Sequence, residues 1–80
     1  MTYDKIKEVI DEWDPMNFWD LGCPKDEYDP EIRAIYNKLN DSSNIEEASL
    51  IIYDIFVTMF GKDIFNKDIS NCKEIAANIL

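Results

Sequence analysis

Only two glycines and three prolines interrupt this chain of eighty residues, and the long stretches between them are filled with Ile, Leu, Met, Glu and Lys. Those residues lose little freedom in a helix, whereas glycine and proline are the strongest breakers of one. The chain is therefore predicted to be all-α, and no length alternates with the period of two that a strand requires. Four main helices and one short one, packed as a compact bundle, follow from the order of apolar periods and breakers.

Tyr3, Ile6, Ile10 and Trp13 recur at helical spacing with charged residues between them, so the first helix spans roughly residues 3–12. Pro15 disfavours the α conformation at Asp14 and stops it. In Trp13-Asp14-Pro15, Asp14 has the chemistry of an N-cap and Pro15 that of a first helical residue, while Trp13 and Phe18 occupy hydrophobic staple positions. A short helix should begin there and stop at Gly22. The device returns in Tyr28-Asp29-Pro30, which opens a helix with Ile32, Ile35, Tyr36 and Leu39 inward; Tyr28 and Arg33 are placed to stack. The structural caps are thus Trp13, Asp14, Pro15, Tyr28, Asp29 and Pro30.

Asn40-Asp41-Ser42-Ser43-Asn44 is a polar turn, with a capping box from Asn44 and Glu47 or Ser43 and Glu46. The next helix, about 45–60, is apolar around much of its circumference and is expected at the bundle centre. Gly61 ends it. A final helix, capped by Ser70 or Asn71, turns Cys72, Ile75, Ala76, Ile79 and Leu80 to one face. Eighty residues make one domain, 1–80, with no length to spare for a second core.

The net charge is −9, and between Glu8 and Glu31 nine acidic residues face a single Lys25. That field repels phosphate backbones and anionic lipid and attracts basic proteins. Direct binding of nucleic acid or membrane is not expected. No apolar run approaches the ~20 residues that span a bilayer, and the first residues lack a secretory pattern, so a cytoplasmic setting with reduced Cys23 and Cys72 is expected.

No histidine is present, which removes the commonest general base and metal ligand and the triads built on imidazole. Two distant glycines build neither a dinucleotide fingerprint nor a phosphate loop. No cofactor, no metal site and no catalytic residue are expected, because carboxylates on helix surfaces and first turns are ordinarily solvated or capping. Asp26, Glu27, Asp29 and Glu31 offer oxygen ligands, but at spacings unlike an EF-hand. Cys23 lies among carboxylates that disfavour its thiolate, and Cys72 fits a small core residue.

Taken together, Trp13-Asp14-Pro15, Tyr28-Asp29-Pro30-Glu31-Ile32, Ile52-Tyr53 with Ile55-Phe56, and Cys72-Lys73-Glu74-Ile75-Ala76 before Ile79-Leu80 resemble the YugE-like family. These are small bacterial proteins grouped under a domain of unknown function. The resemblance spans nearly the whole chain and implies a compact helical fold. It carries over no catalytic residue.

Trp13, Phe18 and Trp19 cluster inside the acidic stretch, and aromatics rimmed by charge suit a binding surface. Trp19 is expected to be the most exposed of them. The leading expectation is a non-enzymatic protein–protein interaction module, immunity- or antitoxin-like or regulatory, that meets a basic protein partner through Trp19, Asp20, Asp26, Glu27 and Glu31. The alternative is a divalent-cation-binding accessory protein using the carboxylates of residues 11–31. A mimic of nucleic acid that blocks a basic DNA-binding protein shares the same electrostatics. The oligomeric state is not written in the sequence.

Overall fold

A computed structural model of the chain describes residues 2–40 and 43–80, and its regular elements are four helices in the order α1 (Tyr3–Trp13), α2 (Asp29–Lys38), α3 (Ile45–Phe60) and α4 (Ile69–Ile79). The all-α class is as the sequence predicts. α1 starts where the Thr2 hydroxyl accepts a hydrogen bond from the backbone N–H of Lys5 at 3.2 Å, and it buries Ile6, Val9 and Ile10. α3 starts where the Asn44 side chain accepts from the N–H of Glu47 at 2.8 Å, and it ends at Gly61, whose φ of 85° lies in the left-handed region. Of the polar turn before it, Asp41 and Ser42 lie outside the described residues, while Ser43 Oγ accepts from the N–H of Asn40. α4 is capped at Asp68, two or three residues earlier than the expected Ser70 or Asn71. The Asp68 carboxylate accepts from the N–H of Asn71, and the Asn71 side chain accepts from the N–H of Asp68 in return.

α1 packs on α2 and α4, and α3 packs on the same two, so the helices form a four-sided ring with diagonals filled by side chains. α3 is thus one side of the ring and not its centre. Its core face is Ala48, Ser49, Ile52, Ile55 and Phe56, while Leu50 and Met59 point outward. Phe56 is fully buried and its ring lies 5.6 Å from Trp13, 6.1 Å from Tyr28, 5.8 Å from Phe60 and 5.1 Å from Phe65. α4 adds Cys72, Ile75, Ala76 and Ile79 to this core, as predicted, and leaves Leu80 half exposed. On α2, Ile32 and Ile35 are buried, as is Leu39 at its C-cap, but Tyr36 is not. It stays at the surface, where its ring meets Tyr3 edge-on at 5.7 Å.

Residues 14–28 depart most from expectation, because no short helix forms there. Asp14 closes α1 instead of opening a new helix: its N–H donates to the Ile10 carbonyl and its φ is 43°. A residue held in this left-handed conformation is not the extended N-cap that a helix from Pro15 needs. Asn17, also left-handed at φ 58°, breaks the chain again. Both are of the Asx type that tolerates this region. One closed turn follows, with the N–H of Gly22 on the Trp19 carbonyl and that of Cys23 on the Phe18 carbonyl, both at 3.1 Å. This is the Schellman pattern on a single turn, so Gly22 stops the turn that Phe18 begins.

Candidate functional site

The turns between α1 and α2 are held by one carboxylate. Asp14 Oδ1 accepts from the N–H of Phe18 at 2.9 Å and from the Tyr28 hydroxyl at 2.5 Å, and Oδ2 accepts from the N–H of Trp19 at 3.3 Å. The Tyr28 oxygen accepts from the N–H of Met16 at 2.9 Å. Desolvation first, and the bond to Asp14 second, push the Tyr28 phenol well above its ordinary pKa, so it stays a donor. Tyr28 is fully buried beside Phe18, Trp19 and Phe56, which replaces the expected stack on Arg33, an exposed residue. Trp13 and Phe18 likewise part company instead of stapling: Trp13 meets Phe56 and Phe65, and Phe18 meets Tyr28 and Phe60.

A second tie joins α1 to α2. Lys7 Nζ donates to Asp29 Oδ1 at 2.8 Å and to the Lys25 carbonyl at 3.2 Å, and lies 3.1 Å from Asp11 Oδ2. Its pKa is raised chiefly by Asp29. Asp29 is the first helical residue of α2, not its cap; Tyr28 occupies the cap position without a side-chain bond, and Pro30 sits in the first turn. Sequence reasoning missed this role of Lys7. The signal was its position four residues before Asp11, the spacing that pairs on a helix.

Two hollows open at the end of α1 and meet at Glu12. One, of about 410 Å³, lies between α1 and α4 and is lined by Lys5, Glu8, Val9, Glu12, Trp13, Ile75 and Asn78. The other, of about 480 Å³, is bounded by Asp11, Glu12, Trp19, Cys23 and Lys25. The indole of Trp19 is pinned by its Nε1, which donates to the Asp11 carbonyl at 2.7 Å, and is only partly exposed, as are Trp13 and Phe18. Glu12 takes part in no ion pair or side-chain hydrogen bond among the described residues.

Asp20, Asp26 and Glu27 are exposed, with no ion pair among the described residues. Glu31 is not with them. It is only 5% exposed, at the third position of α2, and its Oε2 has no hydrogen-bond partner. Burial, with Glu27 and Asp29 adding to it, raises its pKa. A group whose folded pKa is raised contributes stability below its unfolded value and loses it as pH climbs. Glu31→Gln is therefore expected to raise Tm at pH 7. The gain should fade as pH falls through the ordinary glutamate range, about 4.3, which melting curves of both proteins from acid to neutral pH measure.

Both cysteines are free; Cys72 is fully buried, and desolvation pushes its thiol up to about 11. Among the described residues no three Cys, Asp or Glu side chains converge as metal ligands, and no helix is long and apolar enough to cross a membrane. Fold and site together define a small acidic all-α protein whose distinctive surface is the aromatic-lined end of its first helix. The chain belongs to the family described as domain of unknown function DUF1871, which matches residues 5–80. No curated protein and no solved structure matches it.

Proposed function

We propose that this chain, one of the YugE-like group within its family, is a non-enzymatic protein–protein interaction module that binds a basic partner in the cytoplasm, in an immunity-like, antitoxin-like or regulatory role. The observation that carries this reading is how the carboxylates of the acidic stretch are spent. Asp11 and Asp29 are engaged by Lys7 and Asp14 by Tyr28, whereas Glu12, Asp20, Asp26 and Glu27 are exposed with no ion pair among the described residues, Glu12 on the wall of the hollow that Trp19 lines. Unpaired charge beside a fixed aromatic ring favours a cationic macromolecule, since charge speeds encounter and the ring supplies contact area.

Association with a basic protein should weaken steeply as salt rises from about 0.05 to 0.5 M, where the screening length drops below about 5 Å. Replacing Asp20, Asp26 and Glu27 together by lysine should abolish it with the helical circular dichroism and Tm unchanged. Binding that survives this reversal overturns the reading. Millimolar calcium, magnesium or manganese should leave Tm where it was, because only a ligand of the folded state raises the midpoint. A rise with any of them transfers the acidic stretch to the cation-binding alternative.

A further inference from the structure

We propose that the chain pairs with a second copy of itself through the seam between α3 and α4, as a two-fold dimer whose axis runs along that seam. Leu50 of each copy then meets Ile69 of the other, and Glu46 meets Lys73. The inference stands apart from the reading of the acidic stretch as a surface for basic partners.

A hollow of about 200 Å³ lies on the seam, lined by Glu46, Ser49, Leu50, Ile69 and Lys73. Its apolar part still faces water, since Leu50 is 60% exposed and Ile69 is half-buried. Ser49 asks for no partner there, because its hydroxyl donates to the Glu46 carbonyl at 2.8 Å. Leu50, Tyr53 and Val57 stand three and four residues apart and so form one stripe on α3. The contact of Tyr53 with Phe65 turns that stripe toward the link that leads into α4. It is part of what makes α3 read from sequence as a central helix, on a flank that the ring of four helices leaves half open. A second copy laid on the seam covers it.

Charge selects that occupant. Glu46 and Lys73 are exposed on opposite banks of the hollow, one on each helix, and neither makes an ion pair among the described residues. Rotation about an axis along the seam exchanges the α3 bank for the α4 bank, so each glutamate falls opposite a lysine. Such a patch is complementary to itself. The net charge of −9 opposes pairing less than its size suggests. The side of the ring formed by α3 and α4 lies opposite the side formed by α1 and α2, and the acidic stretch from Glu8 to Glu31 belongs to α1, the turns after it and the first turn of α2. The dimer turns the two acidic surfaces away from each other, and salt at 0.15 M screens charge beyond about 8 Å. α4 has 11 residues, about 16 Å of length. A contact that short belongs to the transient class below about 1,200 Å², with a Kd of roughly 0.1 mM.

The test is sedimentation velocity of the full chain from about 0.01 to 1 mM in 0.15 M salt, a range that brackets the expected Kd. The average mass should climb from 9.4 kDa toward that of a dimer. Glu46→Lys and Lys73→Glu should each weaken pairing about tenfold, because each meets its like across both symmetric contacts. Leu50→Ala should weaken it by about the same factor. Circular dichroism should show the helices of all three variants unchanged. An equimolar mixture of Glu46→Lys with Lys73→Glu should recover the wild-type affinity, since one variant then offers only positive charge at the seat and the other only negative. Pairing of Glu46 with Lys73 inside one chain cannot produce that rescue. A wild type that stays monomeric to about 1 mM leaves the seam to another protein or to solvent and overturns the proposal. So does a dimer that Leu50→Ala or either charge variant leaves intact, or a mixture that associates no more tightly than its components.

Discussion

Phe56→Ala is expected to lower the unfolding free energy by about 3–5 kcal/mol, the range for deleting a fully buried aromatic side chain. A chain of this length has roughly 4–12 kcal/mol to lose. Phe56 has no solvent exposure, and four other rings, from α1, the turn before α2, α3 itself and the link before α4, pack around it. Its removal therefore opens a void at the one place where all parts of the ring of helices meet. Relaxation into that void is hindered because Trp13 also leans on Phe65, and Phe65 on Tyr53. The fall in Tm should be on the order of 20 °C, as each kcal/mol moves a domain of this size by about 4–8 °C. Phe56→Leu, which keeps most of the apolar volume, should cost only about 1 kcal/mol. Leu50→Ala on the same helix removes a side chain that is 60% exposed and should stay within about 0.5 kcal/mol. Thermal and urea unfolding followed by circular dichroism give all three values, and a loss under about 1 kcal/mol for Phe56→Ala would place the centre of the core elsewhere.

The helices themselves were legible because their signals are local. α3 is written between an Asn44 cap and Gly61, and the observed limits Ile45–Phe60 are those the sequence predicts. The two aromatic-Asp-Pro tripeptides show where local signals fail. At Tyr28-Asp29-Pro30 a helix begins, yet at Trp13-Asp14-Pro15 one ends, although the capping chemistry is the same. The difference is made by Tyr28, whose hydroxyl reaches back fourteen residues to Asp14. No window of sequence contains that bond. The candidate site shows the same division. The excess of acid between Glu8 and Glu31 was plain from counting, but which carboxylates are spent depends on tertiary partners: Lys7 takes Asp11 and Asp29, Tyr28 takes Asp14, and the first turn of α2 buries Glu31. Periodicity also placed Tyr36 on the inner face of α2, but it stays 44% exposed with its ring against Tyr3.

Asp14→Ala should destabilise the protein by about 3 kcal/mol, more than is usual for a half-buried polar residue, because one carboxylate satisfies three donors. Two are backbone N–H groups of the turn that carries Phe18 and Trp19, and the third is the phenol of a fully buried tyrosine. Alanine adds a further cost, since the residue sits at φ 43°, where a side chain without an Asx amide or carboxylate is disfavoured by about 1 kcal/mol. Asp14→Gly abolishes the same bonds but accepts the conformation, so it should cost about 2 kcal/mol. Asp14→Asn keeps an acceptor oxygen and the left-handed tolerance and should cost only about 1 kcal/mol. Tyr28→Phe takes the hydroxyl from both Asp14 and the N–H of Met16, at about 1 kcal/mol, and the double variant with Asp14→Ala should lose less than the sum of the singles. The order Ala, Gly, Asn, from most to least costly in urea midpoints, is the point of the experiment. Asn has a single acceptor oxygen, so it can still serve Phe18 and Tyr28 but turns an NH2 on the N–H of Trp19; if it proves as costly as Ala, the bonds to that one oxygen contribute little. Exchange of the Phe18 and Trp19 amides against deuterium reads the same bonds one at a time. In Asp14→Ala both should lose protection well before the amides of α3, because the turns between α1 and α2 can open locally once their shared acceptor is gone while the ring of helices stays closed.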